Sequence, residues 1–332
     1  MSLQRPLLLP LVPLYALGLR WKNDRFDRGL PPSKQLQRPV ISIGSLSAGG
    51  AGKTPVVLML AKLLFREGVQ VDVLSRGYGR SNQDVEQVDV HGTAQRFGDE
   101  PLELAREGVS VYVGADRFAA GTLAESMGDA EVHLLDDGFQ HRKLRRALDI
   151  VLLTQQDVDD RLLPAGDLRE SLASLTRADV VVLREEEAGA LRGLVSTLTP
   201  AEIWLIRREL LPAPMQMLRP LVFCGIARPS NFLSALATVG VQPAAVVLKP
   251  DHFGYASGDF DSIVAKAKLI SADGFCTTAK DAVKIGPEAM GKLRTVGPLW
   301  VAELRVSLVD EDAALQRLRR ALTQSQTLSD GA

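Results

Sequence analysis

The run ISIGSLSAGGAGKTP, residues 41–55, joins an apolar strand to a glycine-rich loop and then to a helical stretch opening at Lys53 and Thr54. Such a loop turns backbone N–H groups inward, and the helix behind it adds partial positive charge, so the pair makes a cradle for phosphate. Ser47, Ala48, Gly49, Gly50, Ala51 and Gly52 form the cradle, Lys53 would reach the terminal phosphates of a nucleotide, and Thr54 would ligate magnesium. The strict pattern GxxxxGK[ST] has glycine where this chain has Ser47. The strand-to-helix setting carries the reading despite that departure.

Carboxylates supply the second half of the chemistry. EVHLLDDGFQH is an apolar strand that delivers Asp136 and Asp137 at its C-terminal end, the edge on which open α/β sheets bind ligands. One of them would hold magnesium and the other order water or take a proton, although paired acids ending a strand also serve as turns or caps. In RFGDEPLELA, Asp99 and Glu100 precede a helix with Pro101 in its first turn. That is a helix-start signal, and equally the place for a base that deprotonates an acceptor hydroxyl. His252, in KPDHFGY, follows a strand and is one of four histidines. Three further clusters offer cations: Arg76, Tyr78 and Arg80 in LSRGYGR, Arg117 in GADR, and Arg169 beside Glu170 in LLPAGDLRE. TTAKDAVK (Thr277, Thr278, Lys280, Asp281) would border the nucleoside or simply cap the next helix.

These residues need a frame that brings strand ends together. From residue 39 onward, short runs rich in Val, Ile and Leu (PVISIG, QVDVLS, SVYVG, EVHLLDD, LDIVLLT, DVVVLRE) alternate with helical stretches, which predicts an α/β fold. The strands are apolar on successive residues, as in a parallel sheet covered on both faces. The expectation is a P-loop NTPase-like doubly wound parallel sheet with a second, smaller α/β domain. Two prolines in LPAPMQMLR, residues 211–219, break the rhythm before it resumes at LVFCGIARPSNFLSALATVG. The predicted layout is therefore an N-terminal helical segment over 1–30, a phosphate-loop domain over 31–205, a smaller α/β domain over 206–300, and a return strand with a C-terminal helix over 301–332. LWVAELRVSLVD reads as one long strand that pairs with AEIWLIRREL as a β-strand linker, and the tail TQSQTLSDGA reads as frayed.

Bulk composition excludes several classes. In 332 residues, 39 Lys and Arg nearly cancel 40 Asp and Glu, so no basic field exists to hold nucleic acid. Cys224 and Cys276 lie far apart in apolar runs, offering neither a disulfide framework nor metal-ligand spacing. Pro6 to Leu19 is an uncharged run of 14 residues, flanked by Arg5 and by Arg20, Trp21, Lys22 and Arg25. It is short of the roughly 20 residues that span a bilayer, and Pro10 and Pro13 would break a helix within it. Attachment to a membrane surface fits its basic and aromatic flank, with packing on the protein's own core as the alternative. No obligate protein partner is evident.

In order along the chain, GGAGKTPVV, SRGYGR, GDEP, GADR, DDGFQH, LDIVLL, LLPAGDLRE, CGIARP, DHF and TTAKDAVK resemble the tetraacyldisaccharide 4'-kinase (lipid A 4'-kinase) family over residues 1 to about 310. That resemblance implies ATP and Mg2+ as cofactors. It also implies transfer of the γ-phosphate to the 4'-hydroxyl of a tetraacylated glucosamine disaccharide 1-phosphate, the lipid A precursor glycolipid, at the cytoplasmic face of the bacterial inner membrane. Carried over residue by residue, it makes Asp99 and His252 a base dyad, with Asp136, Asp137, Lys53, Thr54 and Arg117 in supporting roles. Among the acids beside Thr54, Asp136, Asp137 and Glu170 are the metal-ligand candidates, and Arg169 joins the nucleotide site. The family usually has Asn where Ser45 stands, and a Pro-Leu-Arg-Glu-Pro run where this chain reads DLRES. Since His252 falls in the second domain, the dyad is expected to assemble on domain closure. A nucleotide-hydrolysing switch that acts on a protein partner would use the same loop and acids.

Overall fold

The computed structural model describes residues 5–213 and 217–329, with side chains as far as residue 325. Its strands are β1 (Val40–Ser45), β2 (Val71–Ser75), β3 (Glu86–Gln87), β4 (Ser110–Val113), β5 (Val132–Asp136), β6 (Leu148–Leu152), β7 (Val180–Arg184), β8 (Glu202–Leu210), β9 (Leu221–Cys224), β10 (Ala245–Leu248), β11 (Phe275–Thr278), β12 (Leu299–Ala302) and β13 (Leu304–Leu308). They form two sheets: nine strands ordered β13-β8-β7-β6-β1-β5-β2-β4-β3, and four ordered β10-β9-β11-β12. In the large sheet only β13 on β8 and β3 on β4 pair antiparallel, and the small sheet is parallel throughout. Every residue of β1, β2, β5, β6 and β7 is buried. Burial on both faces explains why their sequences do not alternate.

The helix Lys53–Arg66 lies on one face of this sheet through Val56, Val57, Leu60, Ala61, Leu63 and Leu64, in one core with Ile41, Ile43, Leu134 and Ile150. Because β1 is central, the loop from β1 into this helix stands at the middle of the sheet's C-terminal edge, with the end of β5 beside it.

Three expectations change. The single long strand expected after Leu299 is two strands: β12 closes the small sheet and β13 crosses to the large one, with Glu303 alone between them. A change of sheet at one residue leaves hydrophobicity uninterrupted, so periodicity cannot locate it. The boundary expected at 205/206 falls inside β8, which runs unbroken in the large sheet and pairs with β13 from Leu210 to Ile206. This β8–β13 pair is the linker anticipated from sequence. The final helix extends over Glu311–Ser329, further than the frayed tail expected, with residues 330–332 outside the described residues. Ala314, Leu315, Leu318 and Ala321 return it to the large sheet's core. Residues 214–216 of the proline-containing break also lie outside the described residues.

The N-terminal run forms a 3-10 helix, Pro6–Leu11, and then an α-helix, Val12–Asp27, with Pro13 in its first turn. A proline lacks the N–H that a helix interior requires but fits its first turn, so the junction falls at Pro13. Polar contacts hold this segment: Arg5 N–H donates to Ala165 O at 2.8 Å, Tyr15 Oη to Arg169 O at 2.9 Å, and Arg142 to Asp27 Oδ1 at 2.6 Å. Leu7, Leu14, Leu17 and Trp21 are largely exposed. Among the described residues no helix is long and apolar enough to cross a membrane.

Candidate active site

The phosphate loop takes its shape from glycine and from bracing. Gly50 and Gly52 have φ of +69° and +89°, a region that residues with a Cβ rarely adopt. The loop's entry is fixed by Ala48 N–H, which donates to Asp167 O at 2.8 Å, and by Ser45 Oγ, which donates to Ser47 O at 3.0 Å. Ser45 therefore serves the loop's own fold. Lys53 Nζ lies 3.3 Å from Ser45 Oγ and 3.2 Å from Asp137 Oδ1. Arg169 Nη1 donates to Asp137 Oδ2 at 2.7 Å, and its Nη2 lies 3.4 Å from Ala48 O. Lys53, Asp137 and Arg169 thus form one ion network along the loop, and Gln140 ties it in by donating to Ser45 O at 3.0 Å.

The two acids ending β5 are in opposite states. Asp137 is buried, which by itself raises its pKa, but Lys53 and Arg169 prevail and hold it down at about 2. Burial pushes Asp136 up to about 7, with Glu100 and Asp137 adding repulsion. Asp136 Oδ2 accepts from Ser75 Oγ at 3.3 Å, whereas Oδ1 is buried without a hydrogen-bond partner. Asp137 also sits at φ +52°. Its backbone strain is of the kind that clusters at ligand sites.

Among the described residues no three His, Cys, Asp or Glu side chains are grouped to hold a metal by themselves. Magnesium does not require such a cage, since it binds through one or two carboxylates with water and substrate phosphates. The unpartnered Asp136 Oδ1, with Asp137 next to it and Thr54 at the helix start, fits that manner of binding. The buried carboxylate of Glu170 accepts at Oε2 from Arg177 at 2.8 Å and from Asn23 at 3.3 Å, which ties it to the N-terminal helix. Arg117 is buried at the cleft and donates to Ala115 O at 2.9 Å. Burial, reinforced by Arg76, pulls its guanidinium down to about 10, while Asp137 and Asp136 oppose that.

Asp99 and His252 arrive from different sheets and meet. His252 Nδ1 lies 3.1 Å from Asp99 Oδ2, in a backbone conformation of φ +57°. The two side chains are thus in contact in this structure, as the pairing expected from the sequence requires. Asp251, next to His252, reaches the phosphate loop: its Oδ2 would lie 3.7 Å from a Cβ on Gly49. Tyr78 covers the imidazole at 5.2 Å between centroids, whereas Arg80 is buried and pairs with Glu86 at 3.8 Å, away from any headgroup or phosphate role. Lys53, Thr54, Asp136, Asp137, Arg117, Arg169, Tyr78, Asp251 and His252 line a cleft of about 2270 Å³ that runs from Tyr15 and Leu19 to Val301 and Leu304, and Asp99 meets it through its contact with His252.

Two participants were not singled out in the sequence. Arg228, in CGIARP, lies over the loop at Gly50 and donates to Thr154 Oγ1 and Asp157 Oδ1, both at 3.1 Å. Lys284 lies 2.9 Å from Asp99 Oδ2. An arginine after a strand and a lysine four residues beyond another lysine are common, so only the tertiary contact marks them.

The profile of the family described as tetraacyldisaccharide-1-P 4'-kinase matches residues 4–323. The tetraacyldisaccharide 4'-kinase of Koribacter versatilis is 39% identical over 327 residues, covering 96% of this chain and 99% of its own length. That of Geobacter metallireducens is 39% identical over 315 residues, covering 89% and 92%. The LpxK of Aquifex aeolicus, crystallised in an "apo" form in complex with ATP, is similar with a TM-score of 0.77 at 31% identity, over 96% of this chain and 99% of that one.

Proposed function

This chain belongs to the tetraacyldisaccharide-1-P 4'-kinase family, and on that premise we propose that it transfers the γ-phosphate of ATP to the 4'-hydroxyl of a tetraacylated disaccharide 1-phosphate, with Asp99 and His252 as the base dyad. The observation that carries the reading is that one cleft is lined by the phosphate loop with its Lys53–Asp137–Arg169 network and by His252, which holds Asp99 at 3.1 Å.

The phosphate loop and Lys53 hold the nucleotide's phosphates, and positioning of this kind supplies most of the catalysis in phosphoryl transfer. Thr54, Asp136 and Asp137 would hold magnesium, which when bound neutralises charge on the β- and γ-phosphate oxygens. The dyad receives the proton that the acceptor hydroxyl loses as its oxygen attacks phosphorus. Arg117, held at the same cleft by its bond to Ala115 O, keeps positive charge beside the two β5 acids. The acyl chains lie along the N-terminal helix, whose Leu14, Leu17 and Trp21 recur at the spacing of one helix face. With Arg20, Lys22 and Arg25 beside them, that face attaches the protein to the cytoplasmic surface of the inner membrane.

The test incubates the protein in detergent with ATP labelled at the γ-phosphate, magnesium and the tetraacyl disaccharide 1-phosphate. Label in the lipid, lost in Asp99→Ala, supports the reading. Hydrolysis of ATP with no label in lipid would replace it with that of a nucleotide switch.

A further inference from the structure

Beyond the dyad itself, the short segment after β11 carries two lysines four residues apart, and both reach the dyad. The segment is rigidly held. Thr278 Oγ1 accepts from Asp281 N at 3.2 Å and donates to Asp281 Oδ2 at 2.7 Å, and the same carboxylate, fully buried, accepts from Gly225 N at 3.0 Å and Tyr255 Oη at 3.3 Å. Asp281 thereby locks the segment to the loop after β9. Spacing of four residues along one helical turn puts Lys280 and Lys284 on a common side.

Their targets differ. Lys280 Nζ lies 3.1 Å from His252 Nε2, 2.9 Å from Asp251 Oδ1 and 3.5 Å from Glu100 Oε1. An ammonium donates and never accepts, so a hydrogen bond from Lys280, nearer to Nε2 than Asp251 Oδ2 at 3.8 Å, requires the Nε2 lone pair and places the ring proton on Nδ1. That proton then points at Asp99 Oδ2, 3.1 Å away. Lys284 Nζ approaches the same Asp99 Oδ2 to 2.9 Å and Asp281 Oδ1 to 3.6 Å, with its side chain 7% exposed. Buried lysines are rare unless paired. Here the pairing partner of one is the proposed base, and that of the other is its histidine.

We propose that Lys280 and Lys284 are positioning residues of the dyad: Lys280 fixes the Nδ1–H tautomer of His252, and Lys284 keeps Asp99 a carboxylate, ready to accept a proton. This inference rests on the dyad reading given above. It adds that the ionisation state of a base carried by the large sheet is set by lysines carried by the small one, so the protein is competent for proton transfer only with the sheets apposed. The charged groups facing Asp99 are Glu100 and Glu103 from its own helix and His252, Lys280 and Lys284 from the small sheet's side. Burial alone would raise the Asp99 pKa, but the bonds from His252 and Lys284 outweigh it and lower it.

The test is a pH profile of kcat/KM for the lipid acceptor, with ATP saturating, for wild type, Lys284→Met, Lys284→Arg, Lys280→Met, Lys280→Arg and Asp99→Ala, each checked by thermal melting. An opposite charge within reach of a carboxylate shifts it by about 1–3 units. Its removal in Lys284→Met raises the Asp99 pKa, so the acid limb should move about one unit or more toward higher pH while the KM for ATP stays fixed, and Lys284→Arg should restore it. Lys280→Met should lower kcat at every pH through loss of the tautomer, with recovery in Lys280→Arg. If Asp99→Ala abolishes transfer while the Lys284→Met profile superposes on wild type, the lysine role is wrong and the dyad stands. If Asp99→Ala keeps activity, both fall.

Discussion

Asp136 should be a residue that the fold would be better without. It lies at the end of β5, its Oδ1 buried and unpartnered, and its pKa pushed up to about 7 from 3.8 by burial, then by Glu100 and Asp137. In the unfolded chain the carboxyl ionises at its ordinary value. Between the two values the folded state holds a proton that the unfolded state has released, so stability declines as pH rises through this window and is flat below and above it. Each unit corresponds to about 1.4 kcal/mol, so a rise of about three units costs the fold several kcal/mol above neutrality and less than half of that at about pH 5.

Asp136→Asn removes the ionisation and keeps the shape. Its amide leaves one polar atom short of a partner, a penalty of about 1–3 kcal/mol that does not depend on pH. The net effect should be near zero at about pH 5 and a gain of about 1–3 kcal/mol at about pH 8. The assay is denaturant unfolding of both proteins in chelator at the two pH values, with phosphotransfer measured alongside. The variant should be inactive yet more stable at the higher pH, and magnesium should raise the midpoint of wild type more than that of the variant. An equal stability difference at both pH values would refute the reasoning, because it would mean that Asp136 does not titrate between them.

Gly50→Ala should raise the KM for ATP with little effect on that for lipid: φ is +69°, and the new Cβ would meet the Arg228 stem at 2.7–2.8 Å, so the loop must shift to accept it. Steady-state kinetics with each substrate varied in turn decides this. Joint replacement of Leu14, Leu17 and Trp21 by Ser should abolish sedimentation with vesicles while nucleotide binding by titration is unchanged, since all three are exposed and none lines the cleft; parallel loss of both would count against the membrane face. Leu318→Ala should destabilise the protein by about 2–5 kcal/mol, read from denaturant midpoints, because Leu318 is fully buried where the last helix returns to the large sheet.

The parts legible in the sequence share a physical trait: their signal is local. The phosphate loop is contiguous, its glycines demanded by backbone angles that are set within a few residues. The buried strands β1, β5, β6 and β7 announce themselves by unbroken apolar runs, since a parallel sheet covered on both faces has no polar side. Asp136 and Asp137 stand out because the C-terminal strand edge of such a sheet is where ligands bind. The crossing from β12 to β13 at Glu303, by contrast, leaves no trace in hydrophobicity. The contacts of Glu170 with Arg177 and Asn23 are hidden for a related reason: the partners lie 7 and 147 residues away, and no local pattern brings them together.

The dyad shows where local reading stops and why the fold can still be reasoned through. Asp99 has the sequence context of a helix start and His252 that of a strand-end turn, and either would be structural on its own. Contact at 3.1 Å between residues 153 apart is what motivates the proposed base pair, and in that proposal the lysines set its ionisation. A carboxylate held between His252 and Lys284 is ionised but a weaker base than a free one. Such a group suits a reaction whose transition state is loose, in which the acceptor oxygen loses its proton late and needs orientation more than deprotonation. On this argument the loss of Asp99 should cost kcat heavily, while raising its basicity by removing Lys284 should bring little gain in rate even at high pH. A base limited by strength would behave in the opposite way.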